Sequence, residues 1–160
     1  MATVFDVAKY ILENTPSGCM TTWKLQKLVY YSQAWSLVWD ERPLFNAPIQ
    51  AWANGPVVPL LYQAHRGKFS ICVDEIMGNS DNLSTDEKDT IDAIMKFYGD
   101  KSGAYLSALT HMERPWKEVR GNLPAGEPST EEIPLDLMAD YYGSISAAKS
   151  KTTQQKTAKN

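Results

Sequence analysis

The sequence predicts a mainly α-helical fold, a single compact domain around one buried central helix, and it allows a small β-hairpin. A length of 160 residues with 43% apolar residues fits one domain with a substantial core. Apolar residues recur at helical spacing through much of the chain. The segment 20–41 is apolar nearly all round, which is typical of a helix that its neighbours bury.

The first two predicted helices come from the N-terminal quarter of the chain. In TVFDVAKYILENT the apolar residues share one helical face, made of Val4, Val7, Ala8, Ile11 and Leu12. The central helix is predicted in MTTWKLQKLVYYSQAWSLVWDE, with Thr21 or Thr22 as its N-cap. If Thr21 is the cap, Met20 and Leu25 occupy the positions of a hydrophobic staple.

The segment AWANGPVVPLLYQAHRG predicts a turn that leads into a short buried helix. Asn54-Gly55 is a turn signal, and Pro56 suits the first turn of a following helix. The apolar face of that helix would contain Val57, Leu60, Leu61 and Ala64, and Gly67 would end it. A weak alternation in KFSICVDEI predicts a short strand, which we expect to pair near residues 49–52.

The C-terminal half predicts four more helical segments. Ser84 and Glu87 form the pattern of a capping box at the start of LSTDEKDTIDAIMKFYGD. Short helices are predicted in SGAYLSALTH, RPWKEVRG and IPLDLMADYYG. Residues 144–160 lack apolar periodicity, so the chain divides into a domain at 1–143 and a flexible basic tail at 144–160.

Charge is unevenly distributed along the chain. Four of the 16 lysines and arginines lie in residues 149–160, which contain no acid. Residues 1–148 therefore carry 12 basic residues against 19 acidic ones, a net charge of −7. Phosphate binding needs a basic face, so direct nucleic-acid binding is disfavoured, whereas a basic protein partner would suit this body.

The cysteines and the apolar segments bear on the compartment. Cys19 and Cys72 form no CxxC pair, which argues against a disulfide framework or a zinc ribbon and favours a reducing cytoplasm. The N-terminus lacks the pattern of a signal peptide. The longest uncharged run, residues 43–65, contains four prolines, so we expect no membrane span.

Motifs of catalysis, metal binding and cofactor binding are missing from the sequence. It has no GxxxxGK[ST], GxGxxG, HExxH or GxSxG, and we expect neither a cofactor nor a metal. Its two histidines, His65 and His111, have no ligand-like partner at helical spacing, so a structural role is favoured for both. A His111 that serves in a catalytic cleft stays open as an alternative.

A set of dispersed motifs gives the chain a specific resemblance. LQKLVYYSQAWSLVWDERPLFNAPIQAWANGPVVPLLYQ, followed later by LTHMERPW, is similar to the Panacea antitoxin domain, a family that also includes SocA-like proteolytic adaptors and phage-associated proteins. The resemblance runs from about residue 5 to residue 142. It is carried by Leu25, Gln26, Lys27, Leu28, Gln33, Trp35, Pro43, Leu44, Phe45, Ala51, Trp52, Gly55, Pro56, Val57, Pro59, Tyr62, His111, Pro115 and Trp116. Tyr30-Tyr31 stands where the family has Tyr-Phe.

The resemblance implies a type II antitoxin that neutralises a cognate protein toxin, encoded next to it, by direct binding. Gly-Pro, Trp and Pro-Trp fix turns and pack, so these motif residues are expected to be scaffold, with Trp52 and Trp116 mainly buried. Trp23 and Trp39 are the candidates for partner contacts. The alternatives are a proteolytic adaptor, an enzyme that uses His111, and a DNA-binding autoregulator, which the acidic body disfavours. The oligomeric state stays open.

Overall fold

The structure of the protein, a computed structural model, describes residues 1–146. Within them the helices are α1 (Val4–Glu13), α2 (Thr22–Trp39), α3 (Pro59–His65), α4 (Thr85–Tyr98), α5 (Gly103–Met112), α6 (Arg114–Arg120) and α7 (Leu135–Ile145). The strands are β1 (Cys19–Thr21), β2 (Gln50–Trp52), β3 (Gly55–Val57) and β4 (Ser70–Cys72). The mainly α-helical prediction is confirmed. Residues 147–160 of the predicted tail lie outside the described residues, and α7 continues two residues past the predicted domain end at 143.

Helix α2 is the centre of the fold, as its composition predicts. It packs against α1, α4, α5 and α7. Every residue from 25 to 36 is buried, including the polar Gln26, Lys27 and Gln33. The Thr21 hydroxyl accepts a hydrogen bond from the Lys24 amide at 3.2 Å and caps the helix. Because α2 is surrounded in this way, its buried polar side chains need hydrogen-bond partners inside the protein.

Local capping signals set the ends of the outer helices. Thr3 and Asp6 form a capping box at α1, and Ser84 and Glu87 form the predicted one at α4. Asp6 also accepts a hydrogen bond from the Asn79 amide at 2.8 Å, which ties the loop before α4 to α1. Burial acts to raise the pKa of Asp6, but its hydrogen bonds outweigh this and hold the pKa below its ordinary value.

The predicted strand pairing is wrong, because both edges of β2 are taken. One edge pairs with β3 across Ala53 and Asn54, and the other forms a bridge between Gln50 and Glu132. β4 pairs antiparallel with β1 instead. Pro56 accordingly lies in β3 rather than in a helix, and Pro59 begins α3, which ends at His65 instead of Gly67. The small hairpin itself is confirmed.

The two cysteines are bonded to each other, contrary to the prediction from their spacing. Cys19 and Cys72 face one another across β1 and β4 and form a disulfide with a sequence separation of 53 residues. The sequence could not show this, because the strand pairing brings together residues that are distant in the chain. The cysteine-based argument for a reducing compartment therefore loses its basis.

No helix among residues 1–146 has the length and apolar character needed to cross a membrane.

Breaking this disulfide should destabilise the fold without abolishing it. We expect the Cys19→Ser/Cys72→Ser protein to lose about 2–4 kcal/mol of unfolding free energy, because the bond closes a long loop of the unfolded chain. Chemical denaturation of the oxidised and doubly substituted proteins measures the difference. Adding a reductant should lower the unfolding free energy of the natural protein and leave that of the double variant unchanged. An equal effect on both proteins would contradict the disulfide.

Candidate functional site

A pocket of about 540 Å³ opens between α2, the β2–β3 hairpin, α3 and the loop that contains residues 128–130. This volume is typical of sites for small ligands. Its aromatic wall residues are Trp23, Trp52 and Tyr62, and its other nitrogen-bearing side chains are Gln26, Lys27, Asn54 and His65. Among residues 1–146, no carboxylate lines it. A wall without acids is unusual in a body that carries −7.

Lys27 belongs to the wall of this pocket but is completely buried, so it exposes no surface to the cavity. Its ammonium group donates a hydrogen bond to the Pro56 carbonyl at 3.0 Å, the one acceptor found for it among the described residues. Burial lowers the pKa of Lys27 to about 7, and no neighbouring carboxylate acts to raise it. Near neutral pH this buried amine can therefore exist in either protonation state.

The hairpin turn packs closely against the Lys27 side chain. Gly55 has φ +120°, a conformation that residues with a side chain rarely adopt. A Cβ atom at this position would lie 2.5 Å from Cε of Lys27 and 3.0 Å from Oγ1 of Thr110. The glycine of the NGP sequence is thus required by both backbone conformation and close packing.

Gln26 connects the central helix to α3. Its carbonyl oxygen accepts from the Val58 amide at 2.9 Å, and its Nε2 donates to the Val58 carbonyl at 3.3 Å. The same Nε2 lies 2.9 Å from Nε2 of His65, an arrangement that requires an unprotonated ring nitrogen. Burial lowers the pKa of His65, and the Lys27 charge lowers it further. His65 is therefore a neutral structural acceptor at the end of α3.

The outer side of the hairpin is held by α5 and α6. The Trp116 indole donates to the Trp52 carbonyl at 2.8 Å, and the Ser107 hydroxyl donates to the Asn54 carbonyl. Arg120 donates to the Ala51 carbonyl at 3.2 Å. The two halves of the family-like pattern, AWANGPV and HMERPW, thus meet in one structural unit that fixes the pocket wall.

The structure separates His111 from the pocket. Its ring stacks on Trp116 with 4.0 Å between centroids, and it is not among the lining residues. Burial lowers the pKa of His111, as do the charges of Lys27 and Arg120. Its Nε2 has no hydrogen-bond partner among residues 1–146. His111 therefore lies against Trp116, which supports the hairpin, and outside the pocket.

The remaining predicted site residues divide into buried and accessible groups. Leu25, Trp35, Pro56, Val57 and Pro115 are buried. Trp52 and Trp116 are partly buried, with the larger share of each residue covered, as the prediction that both are mainly buried requires. Trp23 is 43% exposed at the pocket, whereas Trp39 is half-buried and stacks on Trp35 at 5.0 Å.

Sequence reasoning missed a second buried polar cluster, around Glu113. Its carboxylate accepts hydrogen bonds from the hydroxyl groups of Tyr31 at 2.7 Å and Tyr142 at 2.8 Å. The hydroxyl groups of Tyr30 and Tyr142 are 3.0 Å apart. This cluster joins α2 to α7 and to the start of α6, and it lies among core side chains, which indicates a structural role. The tyrosine pair in the middle of α2 was its only signal in the sequence.

Comparison with known families places the geometry in context. The sequence model of the family described as "Antitoxin SocA-like, Panacea domain" matches residues 25–117, more than half of the chain.

The chain belongs to this family.

The match runs from the buried part of α2 into α6, where it ends at residue 117, so the Panacea domain contains the hairpin, Lys27 and most of the pocket. Thr22, Trp23 and the loop at 128–130 lie outside the matched segment and complete the pocket wall. No curated protein and no solved structure matches the chain. The fold and the site are therefore described from this molecule itself.

Proposed function

We propose that this protein is the antitoxin of a type II toxin–antitoxin system and neutralises a cognate toxin by direct binding in the cytoplasm. The observation that carries the proposal is its membership of the SocA-like antitoxin family across α2 to α6. The toxin would be encoded in the neighbouring reading frame. An acidic body of −7 favours a toxin with a basic contact surface, since complementary charge accelerates association and selects partners.

The exposed surface around Trp23 is the contact region that we propose. Trp23 is 43% exposed, and the backbone of Phe69, whose side chain is 82% exposed, lies beside it through the bond from the Thr22 amide to the Phe69 carbonyl at 3.0 Å. Large exposed aromatic residues are the usual anchors of protein interfaces. This pair would give the toxin an apolar contact.

Trp39, the other predicted contact residue, is not part of the contact region that we propose. Sixteen residues separate it from Trp23, which on an α-helix corresponds to about 24 Å along the axis and about 160° around it. One flat partner surface cannot contact both faces of α2. The stacking of Trp39 on Trp35 favours a packing role.

Direct neutralisation is tested by titrated co-expression with the neighbouring toxin. Rescue of growth should require antitoxin in at least equimolar amount, and the purified proteins should form a complex of fixed stoichiometry. Rescue at catalytic amounts would overturn the proposal in favour of an enzyme. Rescue that disappears in protease-deficient cells, with toxin accumulating, would instead show a proteolytic adaptor.

Replacing Trp23 with alanine should weaken toxin binding at least about 30-fold, equivalent to about 2 kcal/mol for an interface anchor. Calorimetry with purified toxin measures this loss. Met112→Ala is the matched control, because Met112 is 74% exposed at the far end of α5 and lines none of the pocket.

A protein that ends at Ser146 should bind the toxin as the full chain does. Loss of binding by that truncated protein would place the inhibitory element in residues 147–160.

A further inference from the structure

We propose that the Cys19–Cys72 disulfide is a reversible redox switch, which glutathione opens and closes, and that it holds Phe69 beside Trp23. Disulfides of cytoplasmic proteins usually form transiently and act in redox sensing or catalysis. The exchange chemistry of the bond is independent of any toxin. The cytoplasmic setting and the effect on toxin binding rest on the proposed function.

The disulfide lies on the outer face of the small sheet that β1 and β4 form. Side chains alternate between the two faces of a strand. Met20 and Ile71 pair with each other and are buried in the core, whereas the flanking Cys19 and Cys72 are partly exposed. A thiol from solution therefore approaches the bond without entering the core.

The covalent bond is the direct link between the two residues that it joins. The Cys19 amide donates to the Ser17 hydroxyl at 3.2 Å, and the Cys72 amide donates to the Glu75 carboxylate at 2.9 Å. The two cysteines are thus a non-hydrogen-bonded pair of the antiparallel ladder. Reduction separates them without breaking a backbone hydrogen bond between them.

Phe69 lies in an exposed segment, residues 66–70, just before β4 enters the core at Ile71. Thr22 holds this segment, because its amide donates to the Phe69 carbonyl at 3.0 Å and its hydroxyl donates to the Lys68 carbonyl at 3.2 Å. Hydrogen bonds so close to solvent are readily exchanged for bonds to water. Opening the disulfide should therefore let Phe69 move away from Trp23.

Other contacts limit the movement to this segment. The core packing of Ile71 does not depend on the disulfide, and the Lys9 ammonium group donates to the Val73 carbonyl at 2.8 Å. The chain that follows Cys72 therefore stays attached to α1 when the bond is reduced. We expect a local change around Phe69 in a protein that remains folded.

Opening the switch takes two thiol–disulfide exchanges. A glutathione thiolate attacks one cysteine sulfur, forms a mixed disulfide with it and releases the other cysteine, which takes up a proton. A second glutathione thiolate attacks the glutathione sulfur of the mixed disulfide, so that oxidised glutathione leaves and the second cysteine becomes a thiol. The protein gains two electrons and two protons, and two glutathione molecules lose them. The reverse reaction with oxidised glutathione closes the switch.

Equilibration of the folded full chain in glutathione buffers tests the switch without toxin. Alkylation and mass spectrometry should find both thiols free in excess reduced glutathione and neither free in excess oxidised glutathione, reversibly and without denaturant. A disulfide that persists in reduced glutathione until denaturant is added would overturn the proposal, because that is the behaviour of a structural bond.

Hydrogen exchange followed by NMR tests the control of Phe69. The Thr22 amide, which donates to the Phe69 carbonyl, should exchange at least about tenfold faster in the reduced protein. The Val58 amide, which donates to Gln26 at 2.9 Å, is the control and should exchange at an unchanged rate. Equal rates for Thr22 in the two forms would show that the disulfide does not hold Phe69 in place.

The same two forms are then compared with purified toxin. The oxidised protein should bind at least about fivefold more tightly than the reduced protein, and Cys19→Ser/Cys72→Ser should bind as the reduced form does in either buffer. Equal affinities would overturn the effect on toxin binding. Absence of binding by every form would contradict the proposed antitoxin function instead, while thiol alkylation and the Thr22 exchange rate still decide the switch.

Discussion

Replacing Gly55 with alanine is expected to lower the unfolding free energy by about 3–5 kcal/mol. The backbone at this position has φ +120°, which alanine adopts only with strain. The added Cβ would also lie 2.5 Å from Cε of Lys27, so the buried lysine side chain would have to move. Denaturant unfolding of the two proteins measures the loss.

Gly126→Ala is the matched control for that experiment. Gly126 has φ +87°, also in the region that favours glycine, but a Cβ there would meet nothing within 4 Å. We expect a cost of about 1–2 kcal/mol from backbone strain alone. Equal losses in the two variants would show that contact with Lys27 contributes nothing, and the close packing of the turn would then not explain its glycine.

The sequence predicted the features that local chemistry sets, and it did not predict those that depend on distant residues. Helix limits were predictable where local chemistry sets them, as at the Thr21 cap and the Ser84–Glu87 capping box. The pairing of β4 with β1, and with it the disulfide, depends on residues 53 positions apart, for which the local pattern holds no information. Periodicity identifies which segments are apolar, but it does not say which of them meet.

The pocket was only partly visible in the sequence. The motif residues were recognisable, but Gly-Pro and Trp indicated turns and packing rather than a cavity. The missed signal lay in α2: a helix apolar nearly all round that also contains Gln26, Lys27 and Gln33 must satisfy them inside the protein. Gln33 does so at the Leu44 amide and the Phe45 carbonyl, at 2.7 and 2.9 Å. A buried lysine among them should have indicated a special site, because lysine is rarely fully buried without a partner.

Replacing Trp35 with alanine should cost about 3–5 kcal/mol of unfolding free energy, the range for truncation of a large core side chain. Trp35 is 1% exposed, lies 5.6 Å from Tyr142 between ring centroids, and donates its indole N–H to the Tyr98 hydroxyl at 3.2 Å. Its removal leaves a cavity where α2, α4 and α7 meet, and it deprives the Tyr98 hydroxyl of its donor.

Trp39→Ala provides the comparison one turn further along α2. Trp39 is half-buried, and its indole nitrogen finds no acceptor among the described residues, so we expect a loss of only about 1–2 kcal/mol. Thermal and denaturant unfolding distinguish the two variants, and toxin binding is measured at a temperature where both are folded. If the Trp35 variant kept its stability but lost toxin binding, this tryptophan would be a contact residue. The assignment of the buried motif residues to the scaffold would then be wrong. Loss of stability with binding retained in the folded fraction would show that the buried part of the motif maintains the fold, while the accessible residues around Trp23 determine the partner.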